Sequence, residues 1–352
     1  MKAAILGLAL AAALLVAVMI MRGGTAERGS NASAPPQGNV TVTRRHAPDV
    51  VLSIRPDVRT ATPTGATPGR TAFTPLMHEL AKRREYKTMY EKLKASASRT
   101  AEENYVLAQI LENCAHVTDR RPPRKSGWRL GGEEARVRFI ASLGDKDPGR
   151  DKRLAAFDRI NVDPCAGFEE VQSTEKEING LLAQAAASDP KAKAALLLRE
   201  LEGPSRDGLH PAISDAQLAT IREVLSSGDP RALVDIVGVF ALHLRDFSVR
   251  TGADEAPLEY WAMHGAATLA ACDLGYPCGP DSRFLLEACA LQGQCDAANY
   301  RDYWFYYYSS PSTSQRASQY HDQLMRGIRE GDWSFFTFHR KPPPGYAPFE
   351  RR

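Results

Sequence analysis

Cysteines are the residues in this chain with the widest chemical options, because thiolates bind metals, act as nucleophiles or form disulfides. The six cysteines are Cys114, Cys165, Cys272, Cys278, Cys289 and Cys295. The last four form two C-x5-C units, whereas paired cysteines in structural zinc sites are separated by roughly two to four residues. The spacing and the even count therefore favour three disulfides in an exported protein over a metal site.

Each C-x5-C unit crosses a glycine, Gly275 or Gly293, and glycine is the residue type that most readily ends a helix. A helix that ends there and is followed by another helix places the two cysteines across one corner, within disulfide reach. We therefore predict one local bridge in each unit and one long-range bridge. The predicted pairs are Cys272–Cys278, Cys289–Cys295 and Cys114–Cys165. Six cysteines allow many connectivities, so other pairings stay open.

Histidines and carboxylates, the other common catalytic side chains, form no recognisable motif. The chain lacks H-E-x-x-H and G-x-S-x-G, and it has no phosphate-binding loop or glycine-rich dinucleotide motif. His243 and His264 occur in apolar, helix-like stretches, so we interpret them as packed core residues. The sequence thus indicates no catalytic residue, no metal and no cofactor, and it favours a protein without enzymatic activity.

The aromatic run that begins at Tyr300 is the most unusual composition in the chain. Such a helix is aromatic on more than one face, so it needs cover on more than one side. The favoured interpretation is a core helix. The alternative is a groove for a peptide or glycan, because Tyr and Trp offer large rigid contact surfaces with a polar end. The residues of that groove would be Tyr300, Tyr303, Trp304, Tyr307 and Tyr308.

The composition sets the class of fold that positions these residues. With 43% hydrophobic and 25% charged residues, the chain resembles an ordinary soluble globular protein. Ala and Leu are abundant and no alternating strand pattern persists, which favours an all-α fold. The net charge of +3 is small. The one basic segment, DRRPPRKSGWRL (119–130), reads as a solvated connector, so no nucleic-acid partner is expected.

An uncharged apolar run spans residues 3–21. Its length suits a bilayer-spanning helix, which needs about 17–25 residues, whereas a signal peptide has an apolar core of about 7–15. We therefore predict a signal anchor at residues 1–22, with the protein attached to the inner membrane and the helical domain in the periplasm. The small residues 24–26 leave a cleaved signal, and a secreted or periplasmic product, as the alternative.

Composition divides the rest of the chain. Residues 23–72, rich in Gly, Pro, Ser and Thr, predict a disordered linker. We interpret the short apolar patch VVLSI (50–54) as an apolar spot within this linker, and a recognition strand is the alternative. Residues 73–342 predict a helical domain, which begins with one long helix from Pro75 to Ser96. Residues 343–352 predict an extended proline-rich tail.

Asp-Pro pairs recur about 40 residues apart along this domain. They begin at Asp147, Asp189 and Asp229, and each is predicted to start a helix, with Asp as the N-cap and Pro as the first helical residue. A helix pair at each such interval is typical of stacked antiparallel helical hairpins, as in an α-solenoid.

The segments SDPKA (188–192), GDPRA (228–232) and ACDLGYPC (271–278) resemble cysteine-rich Sel1-like repeats, although the cysteine spacing is shorter than is usual in that family. The resemblance covers about residues 188–295. It implies an exported stack of α-hairpins in which a disulfide ties the two helices of a repeat, and it implies partner binding without catalytic residues.

The sequence therefore favours a membrane-tethered periplasmic helical protein that binds a protein or peptide. The alternative is a cell-envelope hydrolase that acts on cell-wall glycan or peptide with dispersed carboxylates. Two facing carboxylates in a groove would favour the hydrolase, whereas an aromatic surface without such a pair would favour the binding protein.

Overall fold

Helices make up most of the fold, which confirms the predicted helical class. The computed structural model describes residues 50–51, 73–115, 132–202, 212–251 and 254–339. All of them belong to one compact unit, Pro48–Arg352. Within these ranges no helix is both long and apolar enough to cross a membrane.

Several predicted segments lie outside the described residues. They are the signal anchor (1–22), the linker (23–72) apart from residues 50–51, the basic segment (119–130) and the tail (343–352). The predictions for them remain predictions.

The first part of the domain contains helices that lie between Pro75 and Leu201. In chain order they are α1 (Pro75–Lys82), α2 (Tyr86–Ala95), α3 (Ala101–Asn113), α4 (Glu133–Ser142), α5 (Arg150–Ile160), α6 (Glu175–Ala186) and α7 (Pro190–Leu201). Helix α3 begins with a capping box formed by Thr100 and Glu103.

The second part of the domain lies between Asp215 and Glu330. Its helices are α8 (Asp215–Ser227), α9 (Pro230–Leu242), α10 (Tyr260–Asp273), α11 (Arg283–Gln292), α12 (Tyr300–Tyr303) and α13 (Pro311–Glu330). A five-residue π-helical segment, Trp304–Tyr308, continues α12.

The single helix predicted from Pro75 to Ser96 is wrong, because the chain turns between α1 and α2. Arg83 and Glu85 adopt left-handed backbone conformations, with φ of 49° and 51°. The turn lets Tyr86 enter the core, where its hydroxyl donates to the carbonyl of Leu80 at 3.2 Å. No glycine or proline marks the break in the sequence.

Two of the three Asp-Pro pairs start helices as predicted. Asp189 is the N-cap of α7 and Asp229 is the N-cap of α9, each followed by proline. The third prediction is wrong, since α5 has Gly149 as its N-cap and begins at Arg150. Asp147 instead accepts a hydrogen bond from the Gly149 N–H and pairs with the Arg153 guanidinium at 2.6 Å.

A small antiparallel sheet is the main departure from the all-α prediction. Its strands are β1 (Val50–Val51), β2 (Phe247–Thr251), β3 (Asp254–Pro257) and β4 (Phe336–Phe338), in the spatial order β1-β4-β2-β3. Each strand has five residues or fewer, which is too short for an alternating pattern to be visible. The backbone of Val50, assigned to the linker by its sequence, pairs with Phe338.

Helix packing follows the chain through much of the domain. Helix α3 packs on α6, α6 on α7, α7 on α9, α9 on α10, and α10 on α13. Helix α5, however, packs on α11, which follows it by more than a hundred residues. This contact goes beyond a simple stack, in which each repeat touches only its neighbours.

Three disulfides are present, and they join the pairs predicted from the cysteine spacing. The Cα–Cα distances are 5.4 Å for Cys114–Cys165, 5.6 Å for Cys272–Cys278 and 4.2 Å for Cys289–Cys295. The two local bridges close the corners after α10 and α11, where Gly275 and Gly293 have positive φ. These corners fix the approach of α10, α11 and α12 to one another.

Candidate functional site

A pocket of about 210 Å³ lies where α10, α11 and the α12–π segment meet. Five aromatic rings and a histidine dominate its lining. The lining residues are His264, Phe284, Glu287, Ala288, Leu291, Gln292, Tyr300, Tyr303, Trp304 and Tyr308. We refer to it as the aromatic pocket.

The floor of the aromatic pocket consists of buried rings. Tyr300, Tyr303 and Trp304 are each almost fully buried, and Trp304 is only 1% exposed. The Tyr300 and Trp304 rings are nearly parallel, with centroids 6.0 Å apart. Burial raises the pKa of the Tyr300 and Tyr303 hydroxyls, so both stay protonated at neutral pH.

Trp304 occupies its position because α10 carries a glycine opposite it. A Cβ atom at Gly265 would lie 2.2 Å from Cζ2 of the indole ring, which no real contact allows. The indole therefore packs directly on the helix backbone. Its Nε1–H is buried and has no hydrogen-bond acceptor among the described residues, which leaves an unsatisfied donor in a pocket-lining side chain.

The rim of the aromatic pocket exposes large apolar side chains. Phe284 and Tyr308 are partly exposed, and Leu291 is 48% exposed. Trp261, 52% exposed, extends the rim, because its ring lies edge-on to Tyr308 at 6.0 Å. A group of exposed apolar side chains around a concave site is typical of an interaction surface.

The π-helical segment decides which rings face the pocket. Its i→i+5 hydrogen bonding brings residues five apart onto one face, so Tyr308 packs against Tyr303 with ring centroids 5.5 Å apart. Tyr306 is left 80% exposed outside the pocket lining. Single-turn π segments occur frequently at functional sites.

Polar groups of the aromatic pocket are few and mostly engaged. Gln292 accepts a hydrogen bond from the Tyr303 hydroxyl at 2.8 Å. Glu287 pairs with Nε of Arg283 at 2.7 Å, one helical turn away on α11. Glu287 is the one carboxylate among the lining residues.

His264 is the titratable ring of the aromatic pocket. Its imidazole contacts the rings of Tyr260, Trp261 and Trp304 at centroid distances of 6.0–6.3 Å. Burial lowers the pKa of His264 below its ordinary value of 6.5. The imidazole is therefore neutral at physiological pH and adds no positive charge to the pocket.

The structure separates the five residues predicted for a groove. Tyr300, Tyr303, Trp304 and Tyr308 line the aromatic pocket, while Tyr307 does not. Tyr300, Tyr303 and Trp304 are also buried in the core. The core and groove interpretations therefore both apply to this segment, because the same rings pack in the core and line the pocket. His264, interpreted as a core residue, lies at the pocket surface as well.

The rest of the lining was not anticipated from the sequence. Phe284 and Leu291 lie on α11, and Trp261, which extends the rim without lining the pocket, lies on α10. Large apolar residues at exposed helix positions were the available signal, since an ordinary amphipathic helix places polar residues there. Only the packing of the three helices shows that these side chains surround one pocket.

A Ser–His–Glu cluster on the small sheet has the residue types of a hydrolase triad but a different arrangement. The Ser248 hydroxyl donates to the carboxylate of Glu255 and lies 2.8 Å from Nε2 of His339. In a triad the histidine lies between serine and carboxylate and takes the serine proton. Here the serine is buried and its proton is directed to Glu255, so the cluster is suited to joining strands.

Comparison with known proteins finds no match to this chain among family models, curated proteins or solved structures. Within the described ranges, moreover, no group of three or more His, Cys, Asp or Glu side chains is placed to hold a metal ion.

Proposed function

We propose that this protein binds a protein or peptide partner and that the aromatic pocket receives one anchor side chain of that partner. The observation that carries the proposal is a small pocket with a buried aromatic floor and an exposed apolar rim. Anchor residues that fill such pockets supply most of the affinity in protein interfaces.

The size of the aromatic pocket selects the kind of occupant. Pockets for drug-sized ligands have volumes of roughly 300–1,000 Å³, and this pocket has about 210 Å³. An apolar cavity of about 150 Å³ holds benzene. The pocket therefore suits a single phenylalanine, tyrosine or leucine side chain, with the rest of the partner lying on the rim.

The lining also favours binding over hydrolysis of cell-wall glycan. Most glycosidases use two carboxylates that flank the scissile bond. The lining of this pocket includes only Glu287, which is already paired with Arg283. An apolar anchor needs no such pair, so the lining agrees with the binding proposal.

We further propose that the domain is a stack of helical hairpins related to Sel1-like proteins and tethered to the inner membrane through residues 3–21. The serial contacts of α6, α7, α9 and α10 and the two Asp-Pro helix starts support the stack. The apolar run and the disulfides support export and a periplasmic location. Resistance to carbonate extraction tests the tether, since release of protein lacking residues 1–26 would mean a cleaved signal.

A peptide panel tests the binding proposal. A peptide that binds the wild-type protein is first selected from a display library. Versions of it with Phe, Tyr, Leu, Ala or Asp at one central position are then compared by calorimetry. We expect the Phe, Tyr and Leu members to bind at least tenfold more tightly than the Ala member, which corresponds to about 1.4 kcal/mol. Equal affinities across the panel would contradict an anchor pocket.

Two matched pairs of variants locate the binding surface. Leu291→Ser and Tyr308→Ala alter the rim of the pocket, and both should weaken the Phe peptide by about 1 kcal/mol or more. Val137→Ser alters an equally exposed apolar residue on α4, and Tyr306→Ala alters a neighbouring exposed tyrosine. Neither control should change the affinity for the Phe peptide. A loss of affinity in the controls but not in the rim variants would mean that the peptide binds outside the aromatic pocket.

A further inference from the structure

A second pocket, of about 220 Å³, lies where the end of α1, the end of α5 and the start of α11 approach one another. Four cationic side chains and a single carboxylate line it. They are Lys82, Arg84, Arg159, Arg283 and Asp281. We refer to it as the basic pocket.

The cations of the basic pocket are incompletely neutralised. Arg159 pairs with Asp281 at 2.7 Å, and Lys82 pairs with Glu79 outside the lining at 2.6 Å. Arg84 donates from Nη2 to the carbonyl of Arg159 at 3.0 Å. Among the described residues, no carboxylate pairs with Arg84.

Arg283 is the most buried of the paired cations in the basic pocket, since 17% of its side chain is exposed against 48% for Arg159 and 58% for Lys82. It donates from Nε to Glu287 at 2.7 Å. Burial is the main cause that lowers its pKa from the ordinary value, and the nearby Arg83 guanidinium contributes less. An oxyanion in the basic pocket would give this partly buried cation a second negative partner.

Strained backbone holds Arg84 over the basic pocket. Arg83 and Glu85, on either side of Arg84, are the two non-glycine residues with positive φ in the described part of the chain. Residues in such conformations persist only where the surrounding structure holds them, and they are concentrated at ligand sites. The strained turn between α1 and α2, which also lets Tyr86 pack in the core, thus fixes the position of Arg84.

We propose that the basic pocket binds an oxyanion, a phosphate or carboxylate group, through the guanidinium groups of Arg84, Arg159 and Arg283. Guanidinium groups present parallel N–H donors that match both oxyanions in a bidentate manner. The volume leaves room for part of the molecule that carries the group. The basic pocket shares no lining residue with the aromatic pocket, although the Arg283–Glu287 ion pair connects the two. The oxyanion proposal does not rest on the proposed peptide partner.

Calorimetric titration of the full-length protein in detergent, at low ionic strength, with sodium phosphate and then with sodium acetate tests the site. We expect saturable binding of at least one anion at one site per chain. Arg84→Gln and Arg159→Gln should each weaken anion binding at least fivefold. Arg84→Lys should also weaken it, because the forked N–H donors of the guanidinium are lost, but by less, because the positive charge remains. Melting temperatures of the variants establish that they fold.

Arg138→Gln is the matched control, since Arg138 is an exposed arginine of α4 outside the pocket. It should leave the titration unchanged. Saturable binding of neither anion by the folded wild-type protein, or an equal loss in Arg138→Gln, would overturn the proposal.

Competition identifies the source of the oxyanion. Phosphatidylglycerol added to the detergent micelles that displaces bound phosphate would assign the group to a lipid headgroup. Phosphate binding that is unaffected by this lipid would assign it to a soluble ligand. Both outcomes support the site, because each requires an oxyanion in the basic pocket.

Discussion

A single glycine determines whether the aromatic pocket can exist. Trp304 forms its floor only because Gly265 has no side chain, and a Cβ there would lie 2.2 Å from the indole. Helix-interior glycine is otherwise unfavourable, by roughly 0.5–1 kcal/mol relative to alanine. The close approach of Trp304 to α10 explains why glycine is used at this position.

Gly265→Ala should destabilise the fold by about 1–3 kcal/mol, because the indole must move or the helices must separate. Gly180→Ala is the control, since Gly180 lies inside α6 with open space around it. That change should stabilise the protein by about 0.4–1 kcal/mol. Denaturant unfolding measures both, and an unchanged stability of Gly265→Ala would contradict the packing.

His264 should make the fold sensitive to acid. Its lowered pKa means that the unfolded chain binds a proton more readily than the folded protein. The stability that the neutral ring contributes is therefore complete above about pH 6.5 and is lost as the pH falls below that value. His264→Asn should lose less stability between about pH 7.5 and 5.5. Unfolding curves that respond to pH identically in both proteins would refute this.

At the scale of helices, the two Asp-Pro starts serve a shared function. Asp189 and Asp229 cap α7 and α9 and also surround the buried ammonium of Lys191, at 3.2 and 3.4 Å. Glu102 lies 3.4 Å from the same nitrogen. Residues about 40 positions apart in sequence therefore meet at one cation, which joins the N-termini of α7 and α9 to α3.

Lys191→Met should cost about 3–5 kcal/mol, because it leaves buried carboxylates without their cation. Lys193→Met provides the matched comparison, since Lys193 pairs with Glu223 at the surface and exposed pairs contribute at most about 1 kcal/mol. Thermal and denaturant unfolding of the two variants give the comparison. A Lys191→Met protein as stable as Lys193→Met would show that the cluster is unimportant.

Some helix boundaries could be predicted from the sequence and others could not. Thr100, Ser214, Asp189 and Asp229 have side chains that bond the first free N–H groups of a helix, so these starts were predictable. The turn at Arg83 to Glu85 was not, because tertiary packing of Tyr86 imposes it against local preference.

At the scale of the whole domain, the long-range disulfide and the two local disulfides constrain the chain in different ways. Cys114–Cys165 joins the end of α3 to the segment after α5, with a sequence separation of 51. The two local bridges, with separations of 6, close the corners beside the aromatic pocket. The long-range bridge thus restricts the unfolded chain most, and the short ones hold the site.

Removal of these bridges should act unequally. In the chain-entropy model the long bridge stabilises by about 4 kcal/mol and each short bridge by about 2–2.5 kcal/mol. Cys114→Ala/Cys165→Ala should therefore lower the melting temperature more than either other double variant. An opposite order by calorimetry would mean that native packing, rather than loop closure, dominates.

Only part of the lining of the aromatic pocket could be predicted from the sequence. The aromatic run pointed to Tyr300, Trp304 and Tyr308, but Phe284 and His264 come from other helices. Their meeting depends on the local disulfide corners and on the π segment. A π turn leaves no periodic pattern in a short run, so it could not be read from residue spacing.

The most direct test of the binding proposal uses the indole N–H signals of the uniformly ¹⁵N-labelled protein. Both Trp304 and Trp333 have buried Nε1–H groups without an acceptor among the described residues, but only Trp304 lines the aromatic pocket. N-acetylphenylalanine amide is titrated as the probe of an anchor side chain. We predict that the Trp304 signal shifts saturably while that of Trp333 stays constant. A Trp304 signal that does not move, or that moves only together with Trp333, would contradict the assignment of this pocket as a binding site.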